Sequence, residues 1–475
     1  MIRSESIRRK DNTVKKQLSQ INPITEGVIW KQVLIFFVPI ALGTVFQQLY
    51  NVADAAIVGR FVGKQALASV GGSAAMLTNI VVYFFSGLAT GAGVIISQYF
   101  GAKNLEKLHK SLHTAYAFSI VISVILAMIG WCITPWILEV MKTPGDVMKD
   151  SIVYLRIYFL GLLATLTYNM GSAIMRAVGD SRRPLYYLII CSVLNVVLDV
   201  VFVVFLRLGI AGAAIATVIS QAVCALIVAY TLMNAYPDMR LVPTGIRIDG
   251  RILWEELRVG LPGGLQFCIS GVTGIILQTA INSFGTDTAA AWAAYNKMDM
   301  IFWTVCSAFG ATVTTFVGQN YGAGKMNRVF RSVKICLGLA LIVCGAAQMM
   351  LLGFCRPMFY LFVTDGNVID IGVYMIHYLV PVYILFVFME IPSGALRGLG
   401  DAAIPTAINL AGVFLVRMPW ILLVLPKHHT LEVVMLSYPI SGIASMILLI
   451  VYYFIRMRKI KTENRETLNS KEMSE

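Results

Sequence analysis

The sequence predicts an all-α integral membrane protein: twelve transmembrane helices in two pseudo-symmetric six-helix lobes, related as a parallel repeat. Three observations predict it. Twelve apolar runs have bilayer length, Lys and Arg alternate in density between them, and a set of landmarks recurs at an offset of 221 residues.

The chain has 475 residues, 58% hydrophobic and only 13% charged, about half the charge of a soluble domain. A spanning helix needs about 20 mostly apolar residues. Runs of that kind fall at 33–55, 68–98, 114–136, 152–175, 185–206, 210–233, 261–284, 289–318, 335–354, 371–396, 404–425 and 431–455. The second and eighth are long enough to tilt or kink. The first thirty residues are polar and basic, without an apolar core or cleavage site before Trp30, so the first span is expected to act as its own signal.

The net charge of +13 reports topology. With the N-terminus in the cytoplasm, inside segments hold 28 Lys/Arg and outside segments hold 7, with Arg156, Lys297 and Arg417 inside spans. Such a bias sets orientation. Both termini are expected to be cytoplasmic, and the basic charge is expected to meet anionic lipid, with no nucleic-acid partner. The eight cysteines show no CxxC and no Cys/His spacing, so all are expected to be small apolar packing residues.

The repeat is read from Gln98-x-x-Gly101 and Gln319-x-x-Gly322, from Arg176-x-x-Gly-Asp180 and Arg397-x-x-Gly-Asp401, and from Pro184 and Pro405, all 221 apart. Pro39 and Pro262 are 223 apart. Six spans per half is an even number, so both halves enter from one side and the repeat is parallel. The expected units are a tail at 1–31, an N-terminal lobe at 32–234, a linker at 235–258, a C-terminal lobe at 259–455 and a tail at 456–475. The loop motifs themselves read as helix stops, topology signals and inter-helix clamps.

An ionisable residue within a span is costly, and is a functional candidate for that reason. At 1.5 Å per residue, Asp54 lies about 9 Å below the outer end of span one, Asp199 about 12 Å below that of span five, and Thr217 about 12 Å down span six. Asn195 is one turn before Asp199 on the same face. These four are the candidate cation or proton site: two carboxylates, a carboxamide and a hydroxyl suit Na+, and the carboxylates alone suit a proton relay. The competing reading has both acids bonded to backbone or paired with Arg156. Pro39, in the helix of Asp54, frees a carbonyl and allows a bend. At the repeat offsets, Asp54, Asn195, Asp199 and Thr217 map to Leu277, Val416, Trp420 and Tyr438, so the second half lacks the constellation. Asn51, Lys297, Asp299 and Glu390 are candidates for a substrate cavity, with structural pairing as the alternative for the last three.

Pro39…Asn51-Val-Ala-Asp54…Gly59, Gln98-x-x-Gly101, Arg176-x-x-Gly-Asp180, Asn195-x-x-x-Asp199, Gly318-Gln-Asn-Tyr-Gly322 and Arg397-Gly-Leu-Gly-Asp401 together resemble the multidrug and toxic compound extrusion (MATE) transporters over about residues 25–455. The resemblance is nearest to the bacterial (DinF-like) branch whose cation site lies in the N-terminal lobe. It implies the MATE/MOP fold, a V-shaped pair of lobes, in the bacterial inner membrane. It also implies efflux of drug-like, amphiphilic and often cationic compounds driven by H+ or Na+, with no cofactor and as a monomer. Asp54, Asn195, Asp199 and Thr217 match that branch's site. A second pattern in the family uses an acid in span seven, and 261–284 contains none.

A lipid-linked sugar flippase of the same superfamily shares the lobes but usually has a basic cavity, and only three basic residues lie within spans here. An embedded enzyme would need a nucleophile or metal cluster, and neither HExxH nor GxSxG occurs. The run Gly318 to Met326 is one residue too long for a phosphate loop and lacks the Ser/Thr after Lys325, which argues against an ATP-driven pump. A channel fits poorly with a two-lobe repeat.

Overall fold

The computed structural model describes residues 22–236 and 239–472. Most of the predicted N-terminal tail, Asp238 of the linker and the last three residues lie outside the described residues. All described regular structure is helical. A short helix, Pro23–Glu26, precedes the spans. The spans are α1 (Ile29–Phe61), α2 (Gln65–Gly101), α3 (Leu105–Val140), α4 (Gly145–Leu160 with Leu162–Ala177), α5 (Arg182–Phe205) and α6 (Gly209–Asn234). The second half repeats them as α7 (Gly250–Asn282), α8 (Thr286–Gly322), α9 (Met326–Phe359), α10 (Gly366–Val382 with Ile384–Gly398), α11 (Ala403–Leu423) and α12 (Leu431–Glu463). The last helix runs on to Glu472. Each of the twelve apolar runs is a helix or a bent pair.

The bends recur with the repeat. α4 turns by 50° and α10 by 47°, each in the fourth span of its half. Of the two runs long enough to tilt or kink, the second kinks: Gly72 leaves helical geometry (φ −87°, ψ −123°) inside a wide turn at Val70–Ala74. The eighth remains a single helix. The stretch expected as a linker at 235–258 divides, since Asp249 caps the first amides of α7 and the chain is helical from Gly250. One expectation about the cysteines is corrected. Cys191 of α5 and Cys224 of α6 form a disulfide, with Cα atoms 6.0 Å apart. Their separation of 33 residues on different helices carries no local spacing signal.

Each half builds its own core, and the first helix of each half crosses to the other. Val58, near the end of α1, packs in the N-terminal core. Val33, Phe36 and Phe37, at its start, pack in the C-terminal core. There Phe37 stacks on Phe309 of α8 at 3.9 Å. α7 mirrors this: Leu277 and Ile281 lie in the C-terminal core, whereas Gly260 and Gly264 press on α2. The crossing joins the lobes at the end of the bundle that carries the linker, called here the linker end. The approach is bare backbone, since a Cβ on Gly87 would lie 2.2 Å from the Gly264 nitrogen. The other end is the distal end.

The loop motifs act as clamps at the linker end. Asp180 accepts from the Tyr236 hydroxyl at 2.7 Å and pairs with Arg183 at 3.2 Å. Burial, with the Asp180 carboxylate beside it, holds the Tyr236 hydroxyl above its usual range, so it stays a donor. Asp401, 221 residues later, accepts from Tyr452 and pairs with Arg456.

Candidate functional site

The depth estimate brings four residues together, and the fold does the same. Asn195 and Asp199 of α5 are 1% and 0% exposed, and Thr217 of α6 is 6% exposed. Asn195 Nδ2 donates to Thr217 Oγ1 at 3.5 Å. The side chains of Asp54 and Asp199 are neighbours in this cluster, one from α1 and one from α5. Asp199 is the last α-helical residue before a wide turn, Val200–Phe205, of the kind that recurs at functional sites.

Four oxygens of this cluster lack donors among the described residues. Among the described residues, nothing donates to Asp54 Oδ1, Asn195 Oδ1 or either carboxylate oxygen of Asp199. Buried acceptors are nearly always paired, so four orphans in one cluster need an explanation. The competing reading of the acids is not supported. No backbone donor reaches those oxygens, and Arg156 instead lies over the Trp131 ring at 5.2 Å.

Three tyrosines not nominated from sequence complete the shell. Tyr50, one turn before Asp54 on α1, lies beside Thr217 and both acids. Tyr154 and Tyr158 of α4 also line the cluster, their rings 6.2 Å apart. Positions four apart on one face were a legible signal, but tyrosine in a span reads first as packing.

The matching region of the C-terminal lobe is built differently. The Arg417 guanidinium lies over the Tyr438 ring at 4.1 Å, and its Nε donates to Ser441 Oγ at 3.1 Å. Trp420, at the place of Asp199, donates its indole N–H to Val433 O at 2.9 Å. A side-chain cation stands where the first half gathers acids.

The substrate-cavity candidates scatter. Asn51 and Lys297 are exposed. Asp299 sits beside Tyr383 and Trp303, with Oδ1 buried and unpartnered among the described residues, and the Tyr383 hydroxyl bonds that of Tyr295. Glu390 accepts from Arg397 at 2.7 Å in an ion pair two turns long, pressed against Gly310. A cavity of about 300 Å³ opens between α2 and α7, lined by Met76, Asn79 and Tyr83 on one side and by Phe267, Gly271 and Gln278 on the other. None of the four candidates lines it. Pro39 is buried in α1, which passes through it as one continuous helix.

Twelve apolar spans in two repeated lobes, closed on each other at one end, define a two-lobed membrane transporter fold. The MatE family model matches the chain twice, over residues 39–201 and 262–423, and the chain belongs to that family. It is 29% identical over 434 residues to the probable multidrug resistance protein YoeA of Bacillus subtilis (strain 168), covering 90% of this chain and 93% of that one. A solved MOP superfamily transporter from Pyrococcus furiosus superposes with a TM-score of 0.86 at 21% identity, over 93% of this chain and 99% of the other. An outward-facing multidrug resistance MATE family transporter does so with a TM-score of 0.85 at 22% identity, over 93% and 99%. These two structural likenesses carry the fold.

Proposed function

We propose that the protein is a secondary active antiporter that exports amphiphilic, drug-like compounds, cationic ones among them, in exchange for H+ or Na+. It works as a monomer in a bacterial inner membrane, with lobes 32–234 and 259–455 rocking about the linker. The Lys/Arg bias supports a cytoplasmic linker end and cytoplasmic termini. In that orientation the closed glycine contacts support an outward-open state. A relative named as a multidrug resistance protein supports drug-like substrates.

The observation that carries the proposal is the neighbouring pair Asp54 and Asp199, with orphaned oxygens on both. Two neighbouring negative charges away from water repel strongly, and one proton or one Na+ between them removes the repulsion. Asn195 and Thr217 add neutral oxygens of the kind hard cations take. α1 links this event to the lobe interface, because Asp54 sits in its second half while its first half is packed in the opposite core. Pro39 lies between the two and removes one helix hydrogen bond, which gives α1 a place to bend.

The test is efflux of a fluorescent cationic dye from proteoliposomes under an imposed H+ or Na+ gradient. Asp54→Asn and Asp199→Asn keep shape but remove the charge pair, so each should abolish gradient-driven export while leaving insertion intact. Export with normal ion dependence in both variants would overturn the assignment.

A further inference from the structure

Two glutamines cross the lobe interface at the linker end. Gln98, near the end of α2, donates from Nε2 to Gly398 O at 2.8 Å. Gln319, near the end of α8, donates from Nε2 to Ala177 O at 2.7 Å. Gly398 is the last residue of α10 and Ala177 the last of α4. Both pairs are related by 221 residues, donor to donor and acceptor to acceptor, so this is one bond written twice by the repeat. Each acceptor is a carbonyl left without an intrahelical partner at a helix end. Gly179 and Gly400 follow those ends with φ of +96° and +87°, turning the chain away beside the glutamine amides.

The same end brings the glutamine backbones against glycines of the other lobe. A Cβ on Gly101 would lie 2.0 Å from Gln319 O, and one on Gly322 would lie 1.9 Å from Gln98 O. Any separation of the lobes here lengthens both bonds together. The Gln319 side is also tied to the N-terminus: Asn22 Nδ2 donates to its Oε1 at 3.1 Å. The following turn is held by the second half, with Arg328 donating to Ile24 O and Gly27 O at 3.0 and 2.8 Å.

We propose that Gln98 and Gln319 are the paired latch of the linker-end gate: both bonds hold the lobes shut on that side, and both break when the cleft opens there. This rests on the proposed rocking of the lobes, which gives the cleft alternating access to the two sides. A net bond of ordinary strength is worth about fivefold in the equilibrium between closed and open, and two bonds about 25-fold. The glutamines act on the position of the lobes and touch neither the coupling cation nor the exported compound.

The experiment uses the full chain in nanodiscs, with spin labels on unnatural amino acids at Lys107 and Arg331. Both positions are exposed at the linker end, one in each lobe. Pulsed distance measurements report the ratio of separated to closed lobes as H+ and Na+ are varied. Gln98→Leu and Gln319→Leu should each raise that ratio about fivefold, and the double variant about 25-fold. If the leucine variants do not fold, Gln98→Glu and Gln319→Glu carry the test, since a carboxylate facing a carbonyl opens the latch at nearly constant volume. A wild-type chain that switches between two distances, with a ratio unmoved in folded variants, overturns the latch alone. A wild-type chain with one distance at every H+ and Na+ concentration overturns alternating access, and the latch with it.

Discussion

Gly91 of α2 and Gly260 of α7 meet backbone to backbone across the lobe interface: a Cβ on Gly91 would lie 2.4 Å from the Gly260 nitrogen and 2.5 Å from its Cα. No flexible side chain is there to yield, so the two helices themselves must part to admit a methyl group. Overpacking of this kind costs about 1–3 kcal/mol, and the cost falls on the closed state alone.

Gly91→Ala should therefore open the linker end. In a chain with its native cysteines replaced, a cysteine at buried Leu88 should react with a thiol reagent at least about fivefold faster once Gly91→Ala is added. Gly338→Ala, where a Cβ meets nothing within 4 Å, should leave that rate unchanged. Equal rates in all three chains would mean that the glycine contact does not gate access.

The neutral ligands should be worth less than the acids. Asn195→Ala and Thr217→Ala each remove one oxygen or its support and leave the carboxyl pair in place. The concentration of driving cation at half-maximal efflux should rise about fivefold in each, with maximal rate retained. Tyr50→Phe should behave likewise, since it removes a hydroxyl beside Thr217 and both acids. Half-saturation unchanged in all three would confine cation binding to Asp54 and Asp199.

The disulfide gives a count. The chain has eight cysteines, and Cys132, Cys268, Cys306, Cys336, Cys344 and Cys355 are free. Alkylation of denatured protein without reductant should modify six, and reductant should raise the number to eight. Mass spectrometry reads the difference directly, and Cys191→Ser with Cys224→Ser should remove it.

The spans and the repeat were legible because the bilayer forces both. A backbone with no water to bond must satisfy its own polar groups, and apolar runs of about 20 residues mark the helices that do so. The acid cluster was legible because a charge in a span is conspicuous, and because the second half, with Leu277, Val416, Trp420 and Tyr438, served as an internal control. The ion pair of Glu390 and Arg397 was legible as two residues two turns apart on one helix face. The 50° bend was not, since Gly161 at its break sits within ordinary apolar sequence, whereas Pro381, two residues before Tyr383, was a signal for the 47° bend that went unread. The crossing of α1 and α7 to opposite cores was not legible either. Side-chain periodicity says that a face is apolar but not which lobe covers it, and the glycines that permit the contact look alike whether they face backbone or lipid.

The two lobes differ most at one place, and this sets the last prediction. Arg417 lies on Tyr438 in the second half, where Asp199 and Thr217 gather acceptors in the first. A guanidinium fixed over an aromatic ring is a permanent cation, worth about 0.5–2 kcal/mol when shielded from water. It neither leaves nor exchanges during a cycle. The matching place in the second lobe thus holds a fixed charge, and on the proposed function it is the first lobe that changes its charge when a cation binds. Arg417→Met, similar in length and apolar, should lower the thermal midpoint of the purified protein. It should leave the number of cations moved per exported molecule, and the half-saturating cation concentration, as in the wild type. Arg417→Met combined with Asp199→Asn should be as inactive in gradient-driven export as Asp199→Asn alone, and less stable by the increment of Arg417→Met, because the sites lie in separate lobes and share no partner. If Arg417→Met instead abolishes ion dependence while the protein stays folded, the second lobe takes part in coupling and Arg417 is one of its moving charges.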